Sequence, residues 1–166
     1  MSVPIVAFFN NKGGVGKTTL AYHIASMYAE LDVRVVVADL DPQANLTSLF
    51  LDDERLEELW PEGNHPKTVY GAIEPLIAGR GDIVVPCPTI EVAENVRLLP
   101  GDLLLGAFED DLSQVWPECL DGKPRAFRVI SAFYRLIHSA IEDYDAEIAL
   151  VDVFVRGLTS WKESEM

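Results

Sequence analysis

The residues able to do chemistry are concentrated in Asn10-Asn11-Lys12-Gly13-Gly14-Val15-Gly16-Lys17-Thr18-Thr19. Gly13, Gly14 and Gly16 let the backbone turn tightly and point successive N–H groups inward, which makes a concave anion site where a helix begins. Lys17 supplies the point charge that a β- or γ-phosphate requires, and Thr18 a hydroxyl suited to Mg²⁺. The common phosphate-loop pattern G-x-x-x-x-G-K-[ST] has glycine where this chain has Asn11, and a second lysine, Lys12, follows. A lysine there is not needed to hold phosphate from within its own loop. It could instead reach a nucleotide held by another subunit.

Such a loop works only between a strand and a helix. Val3 to Phe9 is apolar and partly β-branched, which predicts a buried strand. Leu20, Ala21, Ile24, Ala25, Tyr28 and Leu31 recur at three- and four-residue spacing and predict a helix with one face on the core. Val33 to Ala38 is a near-continuous apolar run, as in a parallel strand covered on both faces. It delivers Asp39-Leu40-Asp41-Pro42-Gln43 to the C-terminal edge of the sheet, where open α/β sheets bind ligands. Aspartates before a proline usually make a solvated turn, but the spacing from the phosphate loop makes this pair candidate site residues. A further helix-then-strand pattern ends in Ile148-Ala149-Leu150-Val151-Asp152, an apolar strand closing on an aspartate that would hold Mg²⁺ directly or through water.

The loop KGGVGKTT at residues 12–19, matched letter for letter, and the segment VVVADLDPQANLT resemble the deviant Walker A ATPases of the ParA/MinD type. The resemblance implies an α/β, three-layer P-loop NTPase fold with a mostly parallel sheet. It also implies a Mg²⁺-ATP-binding, slowly hydrolysing dimerisation switch that acts in plasmid partition or chromosome segregation. Carried onto this chain, residues 12–19 cradle the nucleotide, Lys12 acts across an ATP-dependent homodimer, and Asp41 positions or activates the attacking water. Asp39 would serve Mg²⁺ through water or orient the loop, with Thr18 and Asp152 as the other metal residues. A ParB-like activating partner is implied as well.

The remaining chain is read more coarsely. Leu46 to Leu51 predict a short helix, and residues 52–66, acidic and then rich in proline and glycine, a solvated region. Val69 to Ala78 predict a helix with Thr68 as N-cap. Ile83 to Val85 and Val96 to Leu99 predict extended pieces, the second ending in the turn Pro100-Gly101-Asp102. Arg125 to Tyr144 predict one long helix with Ala126, Val129, Ile130, Phe133, Ile137, Ala140, Ile141 and Tyr144 on one face. Arg125, Arg128 and Arg135 read as solvated helix charge, and His23 as a surface histidine.

Composition bounds the function. The 166 residues are 49% hydrophobic and 24% charged, ordinary globular material sized for one domain. The net charge of −14, from 27 Asp and Glu against 13 Lys and Arg, repels phosphate backbones and gives non-specific DNA binding no support. Cys87 and Cys119 fit no metal or redox spacing, which argues for a reducing, cytoplasmic setting and against a cluster-bridging reductase. No signal peptide or membrane span is expected, and a Rossmann-type dinucleotide site fits poorly because no G-x-G-x-x-G is present.

The resemblance covers the predicted ATPase domain, residues 1–152, and stops at a divergent tail, 153–166, so the fold is expected to be incomplete on its C-terminal side. Val153, Phe154, Val155, Leu158 and Trp161 in that tail are candidate packing groups. An alternative function follows, a shortened relative that holds nucleotide or a partner without completing the ATPase cycle.

Overall fold

The computed structural model describes residues 2–10, 14–108, 121 and 123–153. Its centre is strand β2 (Val35–Leu40), every residue of which is buried. Alternate side chains enter two different cores: Val36, Ala38 and Leu40 one, Val35 and Val37 the other. A strand buried on both faces needs helices above and below it, and the three-layer arrangement follows. β1 (Ile5–Phe9), β4 (Val96–Leu99) and β5 (Ile148–Val153) run parallel to β2, and β3 (Ile90–Ala93) pairs antiparallel with β4. The five-stranded order is β1-β5-β2-β4-β3. The mostly parallel α/β sheet expected from the sequence is therefore present.

One layer contains α1 (Lys17–Glu30), which presses Ala21 and Ala25 onto the sheet, and α2 (Asn45–Phe50), which contributes Leu46. On the other lie α4 (Val69–Ile77), α5 (Pro124–Ile130) and α6 (Ala132–Tyr144). Small residues on α1 let the helix sit close over β5 and β2, and that closeness brings its first turn down to the strand ends. Thr68 caps α4 as predicted, its hydroxyl accepting from the Gly71 N–H.

Five expectations are corrected. Among the described residues β1 is an edge strand bonded to β5 alone, and Ile5, Val6 and Phe9 are 36%, 41% and 72% exposed rather than buried. Leu20 and Leu31 of the predicted α1 stripe are likewise exposed, because Ala21 and Ala25 mark the true contact line. The acidic stretch after residue 51 contains a helix, α3 (Asp53–Leu59), capped by Asp52 and anchored by the buried Leu59. Asp53 and Glu54 sit in its first turn, where the helix dipole favours negative charge. The predicted long helix breaks at Ser131, whose hydroxyl donates to the Phe127 carbonyl and competes with the helical ladder. The extended piece at 83–85 is not a strand, and β3 lies instead at Ile90–Ala93, joined to β4 through Asn95 at φ 63°. The packing groups assigned to the tail beyond Val153, and Cys119, lie outside the described residues.

Gly71 shows how tightly α4 is seated. A Cβ built on it would lie 2.1 Å from the His65 carbonyl oxygen, which is backbone and cannot swing away. Gly71→Ala is expected to cost about 1–3 kcal/mol as overpacking. Urea unfolding should show a lower midpoint at unchanged slope; an unaltered midpoint contradicts this seating.

Candidate functional site

The loop between β1 and α1 adopts the backbone its glycines allow. Gly14 and Gly16 have φ of 73° and 80°, the left-handed region, and a Cβ on either would meet nothing within 4 Å. Backbone angle, not crowding, therefore asks for glycine there. Gly16 is the N-cap of α1, with no side chain to occupy the first-turn N–H groups and no acidic residue in that turn. The helix start is thereby left to an external anion. Val15 and Thr19 are exposed on this loop, while Lys12 and Gly13 lie outside the described residues.

Parallel pairing of β2 with β5 sets Asp39 opposite Asp152 in register, so two carboxylates reach the same edge of the sheet on neighbouring strands. Lys17 bridges from above. Its Nζ donates to Asp152 Oδ1 and, at 3.3 Å, to Asp41 Oδ2. Thr18 Oγ1 donates to Asp152 Oδ2 at 2.7 Å. The Asp152 side chain is wholly buried and that of Lys17 only 11% exposed, so this is a desolvated cluster rather than a surface ion pair. Asp41 is held on both sides, its Oδ1 accepting from the Gln43 N–H at 2.9 Å. The sequence-predicted residues Lys17, Thr18, Asp41 and Asp152 are thus brought together.

Asp39 points elsewhere. It is fully buried, with Oδ2 accepting from both the N–H and the hydroxyl of Thr47 at 2.8 Å and Oδ1 from the Asp41 N–H at 3.3 Å. Burial pushes its carboxyl up to about 7, opposed chiefly by the two Thr47 hydrogen bonds and reinforced by the nearby Asp152. Its hydrogen bonds here are to the polypeptide, at Thr47 and the Asp41 backbone. Thr47 and Gly101, which complete its surroundings, escaped the sequence reading. The available signal was the threonine eight residues after Asp39, on the first turn of α2.

The donor set fits a hard cation, since Thr18, Asp41 and Asp152 all offer oxygen. Among the described residues no three His, Cys, Asp or Glu groups form a metal cage. That suits Mg²⁺, which is commonly held by one or two carboxylates together with phosphates and water. A cavity of about 630 Å³ lies elsewhere, between residues 83–86 and α6. Of its charged groups, Arg135 pairs with Asp82 at 2.9 Å and Asp143 accepts from the Ser139 hydroxyl at 3.2 Å.

A family model described as an AAA domain matches residues 3–152. The chain belongs to that family. A virulence plasmid ParA family protein of Chlamydia psittaci is 36% identical over 105 residues, 60% of this chain and 38% of that protein. A crystal structure from Corynebacterium diphtheriae superposes with a TM-score of 0.80 at 34% identity, covering 90% of this chain and 52% of the other. A plasmid partition protein of Borrelia burgdorferi bound to AMPPNP gives a TM-score of 0.60 at 25% identity, covering 93% and 54%. This AAA-domain chain is therefore a ParA-type P-loop ATPase by family. It spans 38% of the Chlamydia relative and about half of each of these solved structures.

Removing the cation from a buried cluster exposes the cost of the carboxylates it balances. Lys17→Ala should lower the unfolding free energy of the nucleotide-free chain by about 3 kcal/mol, and adding Asp152→Asn should recover part of that loss. Urea unfolding of the single and double variants measures both; additive losses would show that Lys17 and Asp152 are not coupled.

Proposed function

We propose that the site binds Mg²⁺-ATP and hydrolyses it slowly, as a dimerisation switch of the partition type. The observation that carries this reading is the convergence of Lys17, Thr18, Asp41 and Asp152 beside a glycine loop at the C-terminal edge of the sheet. Family membership and the AMPPNP bound to the Borrelia neighbour support adenine nucleotide as the ligand.

The roles follow from the geometry. The loop N–H groups and Lys17 bind the phosphates and stabilise charge on the transferring phosphoryl group. Lys17 must exchange its carboxylate partners for phosphate oxygens, which releases Asp152 and Thr18 toward the metal. Thr18 and Asp152 would hold Mg²⁺, which would supply neutralisation of phosphate charge. Asp41 is fixed by its backbone and by Gln43, so its carboxylate can orient a water for in-line attack. Lys12 would complete the charge balance from the second subunit. A ParB-like partner would accelerate a turnover that is slow unaided, in a cytoplasmic setting. Non-specific DNA binding gains no support from a net charge of −14.

The rival reading is a form that holds nucleotide without cycling. Turnover separates the two. The switch reading expects measurable Mg²⁺-dependent hydrolysis, lost by about 100-fold or more in Asp41→Ala with ATP affinity retained, and lost with affinity in Lys17→Ala. Sizing should show a dimer in ATP that Lys12→Ala weakens and ADP does not support. Equal hydrolysis rates in wild type, Asp41→Ala and Lys17→Ala would remove the assigned roles, and binding without turnover or dimer would favour the rival.

A further inference from the structure

We propose that the Thr47 hydroxyl is a positioning residue for hydrolysis, holding Asp41 in place through Asp39 and tying that aspartate to the turn after β4. The inference rests on the assignment of Asp41 to the attacking water.

The Thr47 side chain stands between two otherwise buried polar groups. Its hydroxyl donates to Asp39 Oδ2 at 2.8 Å and accepts the Gly101 N–H at 2.8 Å. A hydroxyl has one proton to give and lone pairs to receive, so a single group satisfies both partners and fixes the direction of the bond chain. The other oxygen of Asp39 accepts the Asp41 N–H. The chain therefore runs from Gly101 through Thr47 and Asp39 to the backbone of the residue that faces Lys17.

Gly101 makes this chain stiff. A Cβ there would lie 2.9 Å from both Cγ and Oδ2 of Asp39, so the glycine backbone packs directly on the carboxylate. The turn is itself anchored at every residue. The Pro100 carbonyl accepts from the Val69 N–H at 2.8 Å, and the Gly101 carbonyl accepts from Trp60 Nε1 at 3.2 Å. Asp102 accepts from Thr68 Oγ1 at 2.7 Å and pairs with His65 Nδ1 at 2.8 Å. The turn is thus a fixed point built from α3, α4 and the loop between them, and Thr47 transmits its position to Asp41.

Thr47→Val keeps the shape, removes the hydroxyl and leaves the Gly101 N–H and an Asp39 oxygen without this partner. Because Asp41 acts on the attacking water rather than in nucleotide capture, kcat should fall about tenfold or more, as expected when a catalytic group is displaced by a fraction of an ångström, with the ATP dissociation constant within twofold of wild type. Thr47→Ser should restore most of kcat. Wild-type turnover in Thr47→Val overturns the proposal, and so does a fall in kcat that Thr47→Ser fails to rescue or that is matched by loss of affinity. Amide exchange read by mass spectrometry separates this proposal from the reading it rests on. If the wild-type chain itself does not hydrolyse ATP, the hydrolytic role of Asp41 fails. The positioning claim is then judged by exchange in the segment containing Asp41: acceleration in Thr47→Val, with β5 unchanged, supports it, and unchanged exchange overturns it.

Discussion

Lys17 shared between two carboxylates is the contact on which the rest of the structure depends. It brings together the first turn of α1, the segment after β2 and the end of β5, three elements distant in the chain. Each needs its own support for the meeting to occur. Ala21 and Ala25 let α1 settle low on the sheet, the buried apolar run of β2 carries Asp41 to the edge, and pairing of β5 between β1 and β2 puts Asp152 under the lysine. A cation held this way is a structural counterion, and under the proposed function it is also the group for which nucleotide phosphate would compete. Binding of nucleotide would then be a competition with the protein's own carboxylates.

A second layer of polar contacts stands behind the first. Asp39 is as close in sequence to the chemistry as Asp41, yet it faces inward and is bonded to Thr47. A buried carboxylate with a raised affinity for protons is costly unless its oxygens are occupied, and here they bind the start of α2 and the backbone of Asp41. The turn at Pro100-Gly101-Asp102 sits against that carboxylate and gathers bonds from α3 and α4. The wall of the site is therefore fixed by residues that do not line it.

The site was legible in the sequence where chemistry dictates both residue type and spacing. Lys17 and Thr18 follow a glycine loop, and Asp41 and Asp152 follow apolar strands, so pattern alone placed them at one edge. Asp39 was not legible in the same way, because residues two apart share a face of a regular strand and only the surroundings at the end of β2 show which carboxylate faces the loop. Thr47 closes the segment VVVADLDPQANLT and Gly101 sits in the turn Pro100-Gly101-Asp102, but their meeting at Asp39 joins distant segments and could not be read from either. Helix α3 was hidden by its own acids, which resemble solvated charge until the dipole of a helix start is considered. The exposure of β1 depends on which strands flank it, a property of sheet order that an apolar run of five residues does not encode. The break at Ser131 was masked by an apolar periodicity that continues across both helices.

The central claim is that phosphate displaces carboxylate on Lys17. Calorimetric titration of ATP into wild type and Asp152→Asn, with Mg²⁺ present and with Mg²⁺ removed by chelation, tests it most directly. The account predicts that Asp152→Asn binds metal-free ATP about tenfold more tightly than wild type, equivalent to ~1.4 kcal/mol, while losing most of the gain that Mg²⁺ confers. Metal-free affinity that is unchanged or weaker in Asp152→Asn would contradict it.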